Sequence, residues 1–97
     1  MDKMATKGGK QLVNPFKYLK EHLNSQIYVK LKDGSEYVGK LVATDTTMNL
    51  ILDDAIEVAD NGTRLVAKIG RVLIKGSMVE FISFDASTAA EKALTGV

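Results

Sequence analysis

The chain has no cysteine, no tryptophan, one proline and one histidine among its 97 residues. Without cysteine there is neither a disulfide nor a thiolate metal site, and His22 alone cannot assemble a zinc centre within one chain. Charge of one sign is also scarce. The net excess is +1, too small for the field of a protein that coats DNA without regard to sequence. Apolar runs fall far short of the roughly 20 residues a membrane-spanning helix requires. The N-terminal stretch MDKMATKGGKQ is charged and has no apolar core, so it reads as neither signal peptide nor anchor. These absences predict a soluble protein of the cytoplasm, or of the nucleus in a eukaryote. Missing as well are a nucleophile paired with a base, a phosphate-binding glycine loop and a metal-ligand set. A non-enzymatic role without cofactor is expected.

What is present divides the chain into three parts. Residues 1–11 are polar, basic and glycine-bearing and are expected to be disordered. Residues 12–84 are expected to form one domain, the size prior for a chain of this length being a single unit. Within it, Asn14 suits a helix N-cap and Pro15 the first helical position, while Phe16, Leu19 and Leu23 form an apolar stripe; a short helix over 15–24 follows. After Ser25 the period changes from 3.6 to 2. Ile27, Val29 and Leu31 alternate with Tyr28, Lys30 and Lys32, and Asp33-Gly34 turns the chain into a second strand in which Gly39 marks a bend or bulge. MNLILDDAIEVA, RLVAKIGRVLIK and SMVEFISF read as three further strands, with a turn at 61–63. A flat sheet of this size would leave half of its apolar residues wet, so a mainly β fold is expected, a short helix followed by a strongly bent five-stranded SH3-like or OB-like barrel. Residues 85–97 form a tail in which Thr88 and Glu91 make a capping-box pattern for a second short helix.

One position does not suit a buried strand. In TDTTMNLILDDA, Asn49 places an amide between Met48 and Leu50, where it either holds its own turn or presents a flat hydrogen-bonding edge to a ligand. The acidic residues Asp53, Asp54 and Glu57 lie close by, but no histidine or nucleophile converges with them, and they are expected to be solvated or interface charge. His22 is expected at a surface or interface.

The residues from Ile27 to Phe84 resemble the Sm/Lsm family, in its archaeal-type Sm-like form. VKLKDGSEYVGKLVATDTTMNLILDDA is similar to the first Sm motif and GRVLIKGSMVEFIS to the second. The Asp33-Gly34 turn, Gly39, Asp45 four residues before Asn49, the Met48-Asn49 pair and IKG at 74–76 carry the match. The resemblance implies the bent Sm-fold barrel, whose fourth and fifth strands pair with neighbouring subunits to close a ring, typically of seven. A homo-oligomer is preferred, with a mixed ring left open. It further implies that single-stranded U-rich RNA lies on the inner rim with one base per subunit. Asn49 would then bond the uracil edge, Lys75 would lie against one face of the base, and Gly76 would permit close approach. Thr47, Met48 and Ser77 would flank the slot, and Asp45 would orient the loop that carries Asn49.

Four positions depart from the family pattern. Thr47 stands where many relatives have a histidine or aromatic, Lys75 where arginine is usual, and Ser77-Met78 where a polar pair usually follows the glycine. Base–aromatic stacking contributes roughly 1–3 kcal/mol per base, so each slot is expected to be weaker than in those relatives. A ring that serves protein partners, with weak or relaxed RNA binding, is the alternative reading.

Overall fold

The computed structural model describes residues 15–84. They form α1 (Pro15–Glu21), β1 (Gln26–Leu31), β2 (Glu36–Thr44), β3 (Leu50–Ala59), β4 (Arg64–Ile74), a 3-10 turn (Gly76–Met78) and β5 (Val79–Ser83). The expected unstructured segment 1–11, the Asn14 cap and the C-terminal helix with Thr88 and Glu91 lie outside the described residues.

The helix is shorter than its apolar stripe predicted. His22 and Leu23 donate to carbonyls three residues back, tightening the last turn, and Asn24 then adopts a left-handed φ of 70° that ends it. Asparagine tolerates that region better than most residues. Asn24 N–H donates to Leu41 O at 2.6 Å and Leu41 N–H to Ser25 O at 2.9 Å, which locks the helix exit to β2. Of the stripe, Leu19 is fully buried in the core, whereas Leu23 is exposed.

All strand pairs are antiparallel, in the order β4-β3-β2-β1-β5. Consecutive strands β4 and β5 therefore lie at opposite ends of the sheet. Four strand spacings in a flat sheet would separate those ends by about 19 Å, and five fully extended Cα steps from Ile74 to Val79 span about 18 Å at most. Because three of the intervening residues are coiled in the 3-10 turn, the sheet must curl to let the connection close. The curl has identifiable origins. The β2–β3 register shifts across Gly39, where a Cβ would meet Leu52 and Ala55 at 3.0–3.1 Å. The β3–β4 register shifts between Leu52 and Ala55, where Asp54 has φ 50° and Gly70, opposite Ala55, has φ 89°. Such bulges bend and twist the ladder.

The bend creates two cores. Leu19, Ile27, Val29, Leu41, Leu50, Leu52, Ala55 and Ile74 fill the main one. Tyr28, Val38, Ile56 and Val58 form the second, with Leu65 packed on it. Simple alternation along β1 predicted Tyr28 on the polar side. It is instead 6% exposed, because the long β3–β4 hairpin folds over that face. Its hydroxyl donates to Glu36 Oε1 at 2.8 Å, and the Gly62 N–H from the hairpin turn donates to the same oxygen at 2.9 Å. Burial first, and then the Glu36 carboxylate, push the Tyr28 hydroxyl well above its usual pKa.

Candidate nucleic-acid interface

The residues singled out in the sequence come from two places, the β2–β3 connection and the β4–β5 connection. Asp45 organises the first. Its Oδ1 accepts from the Thr47 N–H at 2.9 Å, the Thr47 hydroxyl at 2.7 Å and the Asn49 N–H at 3.1 Å; its Oδ2 accepts from Asn49 Nδ2 at 3.1 Å. A carboxylate offers about four acceptor sites, and the pattern is that of an Asx turn extended by three further bonds. The Thr47 hydroxyl first, and then the Asn49 and Thr47 donors, hold the Asp45 carboxyl below its usual range against some desolvation. Met48 closes the turn with an N–H bond to Asp45 O at 2.9 Å and sits at φ 66°.

Asn49 joins this turn to the second connection. Its Nδ2 also donates to Thr47 Oγ1 at 2.9 Å, and its Oδ1 accepts from the Gly76 N–H at 2.8 Å. The amide thus uses both of its hydrogens and one oxygen lone pair within the chain, leaving the second lone pair of Oδ1. Gly76 is required for steric reasons. A Cβ there would fall on the Thr47 carbonyl oxygen and within 2.8 Å of the Met48 carbonyl group. Its lack of a side chain therefore admits the backbone of the first loop. Lys75 precedes it in extended conformation with an exposed side chain, and Ser77, also exposed, lies within the 3-10 turn that follows. The structure brings Asp45, Thr47, Met48, Asn49 and Gly76 into one cluster, with Lys75 and Ser77 flanking Gly76 in the chain.

Two surface depressions adjoin the cluster. One, of about 520 Å³, is an apolar groove between the helix and β5 whose wall includes Met48, Gly76, Tyr18, Phe81 and Phe84. The other, of about 190 Å³, lies at the strand ends and includes Asp45, Asn49, Ile51 and Leu73. Tyr18 and Phe81 on the groove side, and Val66, Ile69 and Leu73 on β4, are large apolar side chains at least 40% exposed.

The remaining candidates have structural places. Asp53 and Arg71 form a two-pronged ion pair across β3 and β4, with Nε–Oδ1 at 2.6 Å and Nη2–Oδ2 at 2.9 Å; Arg71 holds the Asp53 carboxyl below its usual range. Asp54 occupies the bulge. His22 is half-buried, its Nδ1 lies 2.9 Å from Tyr18 O, and its ring stacks 4.2 Å from Phe84. Among the described residues, no three carboxylate or histidine side chains converge in a way that could hold a metal ion, and no helix is long and apolar enough to cross a membrane. Sequence reasoning missed the groove and the Tyr28–Glu36–Gly62 network. Both depend on which strands become neighbours after the sheet bends.

Residues 17–84 match the model of the LSM domain family. An snRNP Sm-like protein of Methanococcoides burtonii is 41% identical over 69 residues, an alignment that covers 71% of this chain and 93% of that protein. Among solved structures, the Pyrococcus abyssii Sm protein in complex with a uridine heptamer superposes with a TM-score of 0.67 at 31% identity, covering 73% of this chain and 97% of that one. The SmAP1 heptamer of P. aerophilum gives a TM-score of 0.65 at 33% identity, covering 75% and 95%. Motif residues, strand order and these similarities agree: the chain belongs to the Sm-like (LSM) family.

Proposed function

We propose that this protein closes into a ring of identical subunits and holds single-stranded, uridine-rich RNA on its rim without catalysing a reaction, as a platform for RNA processing or metabolism. The observation that carries the reading is the 2.8 Å bond from the Gly76 N–H to Asn49 Oδ1. It sets the lone pair left on that oxygen beside the loop that carries Lys75. A uracil presents an N3–H donor on its Watson–Crick edge, which an amide oxygen accepts. Cytosine and adenine present a ring-nitrogen acceptor at the equivalent place, so the same oxygen disfavours them. The Lys75 ammonium, a compact point charge, suits the adjacent phosphate better than the face of the base.

The ring is supported by the strand order. The sheet ends in β4 and β5, each with one unpaired edge, and head-to-tail pairing of such edges removes both when the rotation closes. The heptamers among the similar structures favour seven. Slots that are individually weak still bind one strand together, because each bound nucleotide raises the effective concentration of the next.

Native mass spectrometry of the protein with equal amounts of oligouridine and oligoadenosine of distinguishable mass tests both parts. A seven-subunit ring that carries mainly oligouridine is the expected result. A specific observation favours the second reading, a ring that serves protein partners: both Asn49 amide hydrogens are already engaged, and Thr47 supplies no stacking surface. A ring found bare, or carrying both oligomers equally, makes that reading the better one.

A further inference from the structure

Met48 divides its contacts between two regions. Its backbone belongs to the Asp45–Asn49 turn and holds a left-handed φ of 66°, a conformation unfavourable for a residue with a side chain that persists only where neighbours enforce it. Its side chain leaves the turn, packs on the main core and lines the groove between the helix and β5. Gly76, whose N–H is held by Asn49, lines the same groove. The groove wall and the loop-to-loop bond thus share Gly76, and Met48 of the wall is the chain neighbour of Asn49. In a lone subunit the groove is open, and methionine, unbranched and with three rotatable bonds, can turn into it.

We infer that Met48 is a positioning residue that couples occupation of this groove by β4 of a second copy to the shape of the base slot. A seated strand traps the Met48 side chain against the core, fixes the left-handed backbone beneath it and keeps Asn49 and Gly76 in bonding register. The occupant is a second copy because the groove is lined by Val79–Ile82 of β5, one end strand of the sheet, while the other end strand, β4, carries exposed Val66, Ile69 and Leu73. An apolar strand satisfies at once the backbone groups of the edge and the apolar wall. This coupling rests on the proposed ring and RNA slot and adds that the slot of an unassembled subunit is not competent.

The test uses uridine nucleoside, which fills one slot and has no phosphate, so that neither multivalency nor the summed charge of a ring contributes. Binding is followed by NMR shifts of the Gly76 amide and the Asn49 side-chain amide in three proteins. These are the wild-type ring, the Met48→Ala ring and a subunit dissociated by Val66→Glu with Ile69→Glu, its fold read from amide dispersion. Affinity at least about tenfold weaker in the last two is expected, as for a competent conformer populated at about a tenth, and Met48→Leu, which refills the groove, restores it. Equal affinity in the folded dissociated subunit, or in the intact Met48→Ala ring, overturns the coupling and leaves RNA binding standing. A wild-type ring that takes neither uridine nor oligouridine overturns both. Should either variant fail to fold, the other decides.

Discussion

Asn49 and Gly76, 27 residues apart in sequence, are joined by a 2.8 Å hydrogen bond from the glycine N–H to the amide oxygen. This bond ties the two motif loops together, and Asn49 is in turn held by Asp45 and Thr47. Asn49→Ala removes the acceptor from a partly buried N–H and two donors from the turn. A loss of about 1–3 kcal/mol is expected by urea unfolding, with weaker oligouridine binding and an unchanged ring mass. Binding indifferent to this change would remove the base-reading role from Asn49.

Gly76→Ala places a methyl group on the Thr47 carbonyl oxygen. Backbone lies on both sides, so no flexible side chain can yield, and the loops must part. Oligouridine affinity is expected to fall by at least about tenfold, the equivalent of 1.4 kcal/mol, with the Asn49–Gly76 bond broken in hydrogen exchange of the Gly76 amide. Unchanged exchange would show that the two loops do not depend on this close approach.

Lys75 is exposed beside the cluster, and its expected partner is phosphate. Lys75→Ala should weaken oligouridine binding and flatten its salt dependence, the slope of log K against log salt changing by about 0.7 for each phosphate that is no longer neutralised. Lys75→Arg should keep the slope. An unaltered slope in the alanine variant would place this lysine outside the RNA path.

Glu36 is buried and accepts from both Tyr28 and Gly62 through one oxygen. Glu36→Ala strands two donors and should cost about 2–4 kcal/mol, whereas Glu36→Gln retains a carbonyl oxygen there and should cost less than half as much. Equal urea midpoints for the two variants would mean that the network does not hold the hairpin down.

Asp33, Asp45 and Asp53 all have carboxyl pKa values below the usual range, owing to bonds from Ser35, Thr47 and Arg71 respectively. A depressed folded-state pKa stabilises the fold above the unfolded value, near 4, and that contribution disappears as pH falls through the lower folded values. Stability should therefore be flat from pH 7 to about 5 and decline below about 4. Asp45→Asn should make the decline shallower; an identical acid profile would exclude Asp45 from it.

The sequence by itself determined the order of one helix and five strands, the Asp33-Gly34 turn, the bend at Gly39 and the membership of Asp45, Asn49 and Gly76 in paired motifs. Each is a local signal: a change of period, a residue able to take an unusual backbone shape, a short run of side chains. Only the tertiary structure decided that Tyr28 is inside, that Gly70 and Asp54 complete the bend, and that Met48 belongs to a groove as well as a turn. These outcomes arise when a curled sheet brings distant strands together, and an alternation pattern records which face a residue occupies but not what later covers that face. The same holds for Asn49. Its amide was legible as either a turn holder or a reader. In the fold its Nδ2 holds the turn through Asp45 and Thr47, and its Oδ1 spends one lone pair on the Gly76 N–H that the bend sets opposite.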